Sequence, residues 1–255
     1  SIKLKNDIDL NGYTIINNFF DKKKLQHLKK SLLDILNYIN FSEEKDLQKK
    51  YYEIKKFNPK LKSNWYNIAP YNIDIMQAIH TPELIKFIKY FFDTTTLFSG
   101  RPAIHVHDND NDKLLMPHQE TNQFARDCLL LWVPLWDTNK DTGGITIFEK
   151  SHYNGYFDHQ LHDPTGKKQW TEKYTNIDEN VYKKFKKINM EVKAGSAVLA
   201  HSSLIHCGYP LTKIETVRIT ITERFNPLKR IPYLKDSNKP MKIPYVGTDC
   251  NIIED

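Results

Sequence analysis

The sequence predicts a mainly β fold with α: a double-stranded β-helix, or jelly roll, behind an N-terminal helical layer. Three observations predict it. Helical periodicity of apolar residues is confined to the first hundred residues. After Gly100 come short strand-like runs with no helices alternating between them, which points to an antiparallel sandwich and not a parallel sheet. Hydrophobic residues make up 40% of the 255, enough for a large core in one extended β domain.

The elements follow in order. "NGYTIINNFF" (11–20) alternates and ends at Asp21, a helix cap. Beyond it, Leu25, Leu28, Leu32, Leu33, Ile35 and Leu36 form a helical stripe. A second helix is expected over 43–56. A third starts at Thr81-Pro82-Glu83, a cap followed by proline in the first turn, and runs through "LIKFIKYFF". Eight strand-like runs come next: "RPAIHVHD", "KLLMPHQE", "CLLLWVPLW", "GITIF", "INMEV", "SAVLA", "SLIHCG" and "ETVRITITERF". Residues 153–187 interrupt them with an aromatic, charged stretch too long for a hairpin loop, of the kind that serves as a lid. The expected organisation is one domain: helical support over 1–99, a β-helix core over 100–225 and a C-terminal tail over 226–255.

The formal charge is +6, from 37 Lys+Arg against 31 Asp+Glu. The lysines are spread over polar helix faces and do not form the compact patch of a nucleic-acid binder, although the excess suits an anionic substrate. Cys128, Cys207 and Cys250 are sparse and odd in number, which argues against a disulfide framework or a thiolate zinc site. No run is long enough for a membrane helix, and "SIKLKNDIDL" lacks a signal-peptide core. A cytoplasmic protein with a small-molecule substrate is expected; the oligomeric state is not legible.

The chemistry concentrates in "LLMPHQETNQF" (114–124). On a strand, residues two apart share a face, so His118 and Glu120 project together and can hold one cation. Two histidines and one carboxylate on one side of a mononuclear iron leave the other side open for cosubstrate and O2. "HSSLIHCGYP" offers His201 and His206; His206, after an apolar pair at a strand end, is the better ligand, and His201 is expected to be structural. In "ETVRITITERF", Val217, Ile219 and Ile221 alternate with Arg218, Thr220, Thr222 and Arg224. An inward Arg218 would be satisfied by gripping a carboxylate with two parallel hydrogen bonds. Arg224, near the strand end, reads as solvated.

His118, Glu120, His206 and Arg218, in this order and separation, resemble the phytanoyl-CoA dioxygenase-like family of Fe(II)/2-oxoglutarate oxygenases. "LLLWVPLWDTNKDTGGITIFEKSH" (129–152) is similar to the family's tryptophan strand, turn and Ser-His corner, with Pro-Gly missing from the corner. "AGSAVLAHSSLIHCG" is similar to its turn, strand and metal histidine. The resemblance covers roughly 100–225. It implies that His118, Glu120 and His206 are the iron ligands and that Arg218 holds the distal carboxylate of 2-oxoglutarate. It also implies that Trp132 lines the cosubstrate pocket, with Gln119 beside it. Fe(II), 2-oxoglutarate and O2 are the implied cofactors, and the implied reaction is hydroxylation of a C–H with release of succinate and CO2. Glu120 stands where the family usually has aspartate, and Gly208 where it commonly has a hydroxyl residue. The retained carboxylate argues against halogenation.

His105 and His107 share a strand face with Arg101 and Ala103; they suit a barrel rim as well as contact with 2-oxoglutarate or substrate. Asn122, Gln123 and Arg126 are placed to reach the pocket mouth. Tyr153, Tyr156, His159, His162, Trp170 and Tyr174 suit a sugar or other small polar substrate, and equally a small core within the insertion. The substrate class expected is a small polar or anionic metabolite, or a sugar or polysaccharide precursor. Two rival readings remain: a catalytically silent β-helix binding module, and a cupin-like metalloenzyme that does without 2-oxoglutarate and so without Arg218.

Overall fold

The computed structural model describes residues 2–39, 43–58, 61, 65, 67–99, 102–109, 115–120, 127–162 and 174–227. Arg101, Asn122, Gln123, Arg126, Trp170 and nearly all of the C-terminal tail lie outside them.

The helical layer comprises α1 (Ile2–Asn11), α2 (Lys22–Ile39), α3 (Leu47–Phe57), α4 (Ile73–Ile79) and α5 (Pro82–Phe92). Asp21 Oδ1 accepts from Lys24 N at 2.7 Å and starts α2, as its sequence indicates. Thr81 caps α5 through Leu84 N, with Pro82 in the first turn. Of the expected α2 stripe, Leu28, Leu32 and Leu36 are completely buried, and Leu25, Leu33 and Ile35 pack at its margin. The second expected helix begins four residues later than 43, because Asp46 is the residue whose carboxylate accepts from Lys49 N. Helices α1 and α4 were not legible: α1 buries only Ile8, so its sequence carries almost no apolar period.

Among the described residues the strands are β1 (Tyr13–Ile16), β2 (Phe98–Ser99), β3 (Ala103–His107), β4 (Leu129–Pro134), β5 (Gly144–Phe148), β6 (His159–His162), β7 (Tyr174–Ile177), β8 (Lys187–Asn189), β9 (Ala197–His201), β10 (His206–Tyr209) and β11 (Arg218–Asn226). One antiparallel sheet runs β1-β9-β4-β11, with β2 and β3 both on the far side of β11. The second runs β10-β5-β8. Strands β6 and β7 form a separate hairpin within the long insertion, followed by a single-turn helix α6 (Glu179–Tyr182). This is the double-stranded β-helix that the sequence predicts.

Strand alternation explains why both faces of the larger sheet are used. Leu129, Leu131, Val133, Ala197, Leu199, Ile219 and Ile221 face the helices in one core. Trp132, Val198 and Ala200 face the second sheet and pack on Ile145 and Ile147. On β11 the inward row is polar: Arg218, Thr220, Thr222 and Arg224. The helical layer thus holds the outside of the sheet while the inside stays available for chemistry.

The described part of the run expected over 113–120 departs from expectation. Residues 115–120 are not a regular strand; His118 makes one isolated antiparallel bridge to His206, and Glu120 is already in a turn. Pro117 cannot donate to a ladder, which limits pairing there. Reciprocal bonds His118 N to His206 O (2.9 Å) and His206 N to His118 O (3.0 Å), with Glu120 N to Ser202 O (3.0 Å), fix the segment against β10 and the turn before it.

Candidate metal centre

His118, Glu120 and His206 converge: each offers one ligand atom, and these atoms lie within 4.8 Å of one another. All three side chains are buried. His206 comes from the first residue of β10, and His118 is brought beside it by the isolated bridge.

The protonation pattern follows from the backbone. His118 Nδ1 lies 2.6 Å from the Met116 carbonyl, and His206 Nδ1 lies 3.0 Å from that of Leu204. A carbonyl only accepts, so each Nδ1 carries the proton, and in the neutral ring each Nε2 presents a lone pair. Burial, with the neighbouring His206 adding to it, pushes His118 down to about 3, so its ring is neutral. His118 Nε2 is buried and finds no hydrogen-bond partner among the described residues. A buried lone pair without a donor is what a metal ligand looks like before its metal.

Glu120 supplies the negative charge. Its Oε1 lies 3.4 Å from His206 Nε2 and 3.9 Å from His118 Nε2. Burial pulls its pKa upward, but the Arg224 guanidinium outweighs this and holds the carboxyl well below the usual range. Arg224 binds it as a fork: Nε to Oε2 at 2.6 Å and Nη2 to Oε1 at 3.0 Å. Arg224 is therefore not the solvated strand end that its position suggests. Strand β11 continues to Asn226 between β4 and β2, which carries Arg224 inside.

The three residues line a cavity between the sheets. Trp132 and Arg218 line it as well. Arg218 is 3% exposed; its Nη1 donates to the Tyr209 carbonyl at 2.9 Å, and its Nε has no partner among the described residues. Burial lowers its pKa to about 10, which leaves it charged at neutral pH. Gly143, at φ +66°, lets the guanidinium lie against the turn: a Cβ there would stand 2.5 Å from Nη1.

His105 and His107 also line the cavity, opposite Thr220 and Arg218 across the β3–β11 ladder. Burial pushes both rings to the neutral form, His105 to about 4. Gly208 lines the wall beside His206.

Gln119 is placed elsewhere. Its Nε2 donates to the Gly155 and Ser203 carbonyls, and its Oε1 accepts from Phe157 N. A residue between His118 and Glu120 points away from both, so Gln119 pins the start of the insertion instead of neighbouring the cosubstrate. His201 bonds Ser203 Oγ at 2.7 Å and plays the structural part expected of it. Ser151, from the corner motif, accepts from Ile205 N at 2.8 Å and so secures the approach to His206.

The donor set fits iron. Two imidazoles and one carboxylate, on one wall of a cavity, are the ligands that ferrous oxygenases use, and the cavity leaves the opposite side open. Arg218, whose Nε has no partner among the described residues, fits the far carboxylate of a dicarboxylate.

Solved structures share this fold. Among solved structures, the non-heme monooxygenase ThoJ matches with a TM-score of 0.60 at 14% identity, over 88% of this chain and 77% of that one. The α-ketoglutarate-dependent epimerase SnoN, solved with Fe3+, α-ketoglutarate and nogalamycin RO, matches with a TM-score of 0.56 at 14% identity, over 88% and 82%. EvdO2 from Micromonospora carbonacea var. aurantiaca matches with a TM-score of 0.59 at 11% identity, over 89% and 91%. No curated protein sequence matches. The family model described as "Phytanoyl-CoA dioxygenase (PhyH)" matches residues 8–213, and the chain therefore belongs to the phytanoyl-CoA dioxygenase family, whose cofactors are Fe(II), 2-oxoglutarate and O2.

Proposed function

We propose that this chain is an Fe(II)/2-oxoglutarate-dependent dioxygenase that hydroxylates a C–H of a small polar or anionic metabolite, or of a sugar or polysaccharide precursor. The observation that carries the reading is the orphaned His118 Nε2 facing Glu120 Oε1 in a cavity that Arg218 also lines. His118, Glu120 and His206 would hold the iron. When bound, Fe(II) with 2-oxoglutarate and O2 supplies the oxidising chemistry, converting 2-oxoglutarate to succinate and CO2 as the substrate is oxidised.

The chain's own residues do the rest. Glu120 is neutralised by Arg224, so Arg218 is left as a buried charge for the dianionic cosubstrate. Trp132, Leu130 and Ile145 supply apolar wall and exclude water. His105 and His107 offer neutral ring nitrogens that orient a substrate hydroxyl or carboxylate. ThoJ is a monooxygenase and SnoN an epimerase, so this fold serves more than one reaction, and hydroxylation is the reading taken for this chain.

A second reading, a silent binding module, has one observation in its favour: Arg224 satisfies both oxygens of Glu120 without a metal. Anaerobic titration with Fe(II) and 2-oxoglutarate separates the two. An iron chelate of 2-oxoglutarate has a weak visible charge-transfer band. The expected result is a saturable band, lost in His118→Ala and weakened in Arg218→Ala, with succinate formed on admitting O2. Absence of the band in the unaltered chain would sink the oxygenase reading.

A further inference from the structure

Arg224 lies beside this centre and is used by neither the ligand set nor the cosubstrate site. We infer that Arg224 is a positioning residue that makes a glutamate serve where the family usually places aspartate. The inference rests on the reading of His118, Glu120 and His206 as metal ligands.

The argument is geometric. A glutamate has one more rotatable bond than an aspartate, so its carboxylate can turn edge-on to a cation and bind through both oxygens. That would fill a position needed for cosubstrate or O2. Arg224 forbids it. Its Nε holds Oε2 at 2.6 Å, and the planar fork fixes the plane of the carboxylate. The oxygen turned to the histidines is Oε1, 3.4 Å from His206 Nε2 and 3.9 Å from His118 Nε2. Both oxygens lie in the fork, Oε2 the more closely, and only Oε1 also faces the histidines. Glu120 also sits in a turn, so its backbone gives less restraint than a strand would, and a side-chain restraint is needed. The clamp is itself rigid: Arg224 lies in the longest strand, in register with Leu130 of β4.

The clamp predicts a specific coupling. Arg224 should matter when residue 120 is glutamate and much less when it is aspartate, whose shorter side chain leaves the fork. The test uses Co(II), which reports its coordination through its visible d–d spectrum and needs no turnover. Calorimetric Kd values and spectra are measured with 2-oxoglutarate for the unaltered chain, R224M, R224K, E120D and E120D/R224M. R224M is expected to weaken Co(II) binding roughly 10- to 100-fold, the usual loss for an outer partner of a ligand, and to change the spectrum towards higher coordination. R224K keeps the charge without the fork, so it should recover part of the affinity but not the spectrum; it also carries the test if R224M does not fold. In the E120D background R224M should cost several-fold less. Unchanged Kd and spectrum in R224M, or equal losses in both backgrounds, would overturn the clamp while leaving the metal centre standing. No Co(II) binding by the unaltered chain would overturn both.

Discussion

Gly143 and Arg218 show how a single backbone position governs a functional side chain. At φ +66°, and with the Tyr209 carbonyl only 2.6 Å from where a Cβ would sit, Gly143 leaves no room for a methyl group. Gly143→Ala should cost about 1–3 kcal/mol of stability through the strained backbone. It should also displace the Arg218 guanidinium and raise the 2-oxoglutarate Kd roughly tenfold, about 1.4 kcal/mol. Urea midpoints and a 2-oxoglutarate titration check the two parts separately. His105 gives the pH dependence. Burial lowers its pKa from 6.5 to about 4. Between these values the unfolded chain takes up a proton that the folded chain refuses, so stability is full above 6.5 and falls as the pH drops towards 4. The slope approaches about 1.4 kcal/mol per pH unit. His105→Gln should remove this share, so its stability should fall by about 2 kcal/mol less than that of the unaltered chain between pH 7 and pH 5. Equal losses in urea melts would show that His105 is not held neutral. At this scale the sequence was legible where a residue's partners are local. Arg224 was not: it lies in phase with Arg218, but its burial depends on β2 and β4 closing around the end of β11. The available signal was physical, since a buried Glu120 requires a counter-charge.

The elements were legible in proportion to their apolar period. Strand β11 alternates apolar and polar residues in sequence, whereas β4 and β9 are continuous apolar runs because helices cover one face and the cavity or second sheet the other. Helices α2 and α5 carry both a stripe and a cap. The segment 115–120 carried a strand-like pattern and formed one bridge only, yet His118 still meets His206, because that single bridge is the contact the site needs. Helix α1 buries only Ile8, and α4 is two turns long, so neither left a clear period although α4 buries Ile75, Ala78 and Ile79. This ranking also predicts where truncation hurts. Leu32 is completely buried at the middle of α2, and the Trp65 indole donates to its carbonyl at 3.2 Å. Leu32→Ala should cost 2–5 kcal/mol, roughly, by lost burial and the cavity left behind, without changing metal affinity in the folded fraction. Urea unfolding followed by Trp fluorescence measures the first, and Co(II) titration the second.

For the whole molecule, the proposed centre is also a staple. Its ligands come from the segment before β4 and from β10, and the Arg224 that holds Glu120 comes from β11, so one cation would tie the two sheets together across the cavity. The unfolded chain has no such arrangement, because residues 118 and 206 are then far apart along the sequence. Binding to the folded state alone adds RT ln(1 + [L]/Kd), about 2.7 kcal/mol at a hundred times Kd. For a chain of this size about 1 kcal/mol moves Tm by roughly 2–4 °C, so saturation should raise Tm by about 5–10 °C. Mn(II) or Co(II), which bind without consuming O2, should produce the shift in thermal melts, and a chelator should reverse it. 2-Oxoglutarate should add a further rise only when the metal is present and Arg218 intact. His206→Ala should abolish the metal shift while keeping the fold, since the backbone bonds between 118 and 206 do not need the imidazole. A chain whose Tm ignores both metal and 2-oxoglutarate would instead be held together by its hydrophobic cores alone, with the Glu120–Arg224 pair left as a structural ion pair.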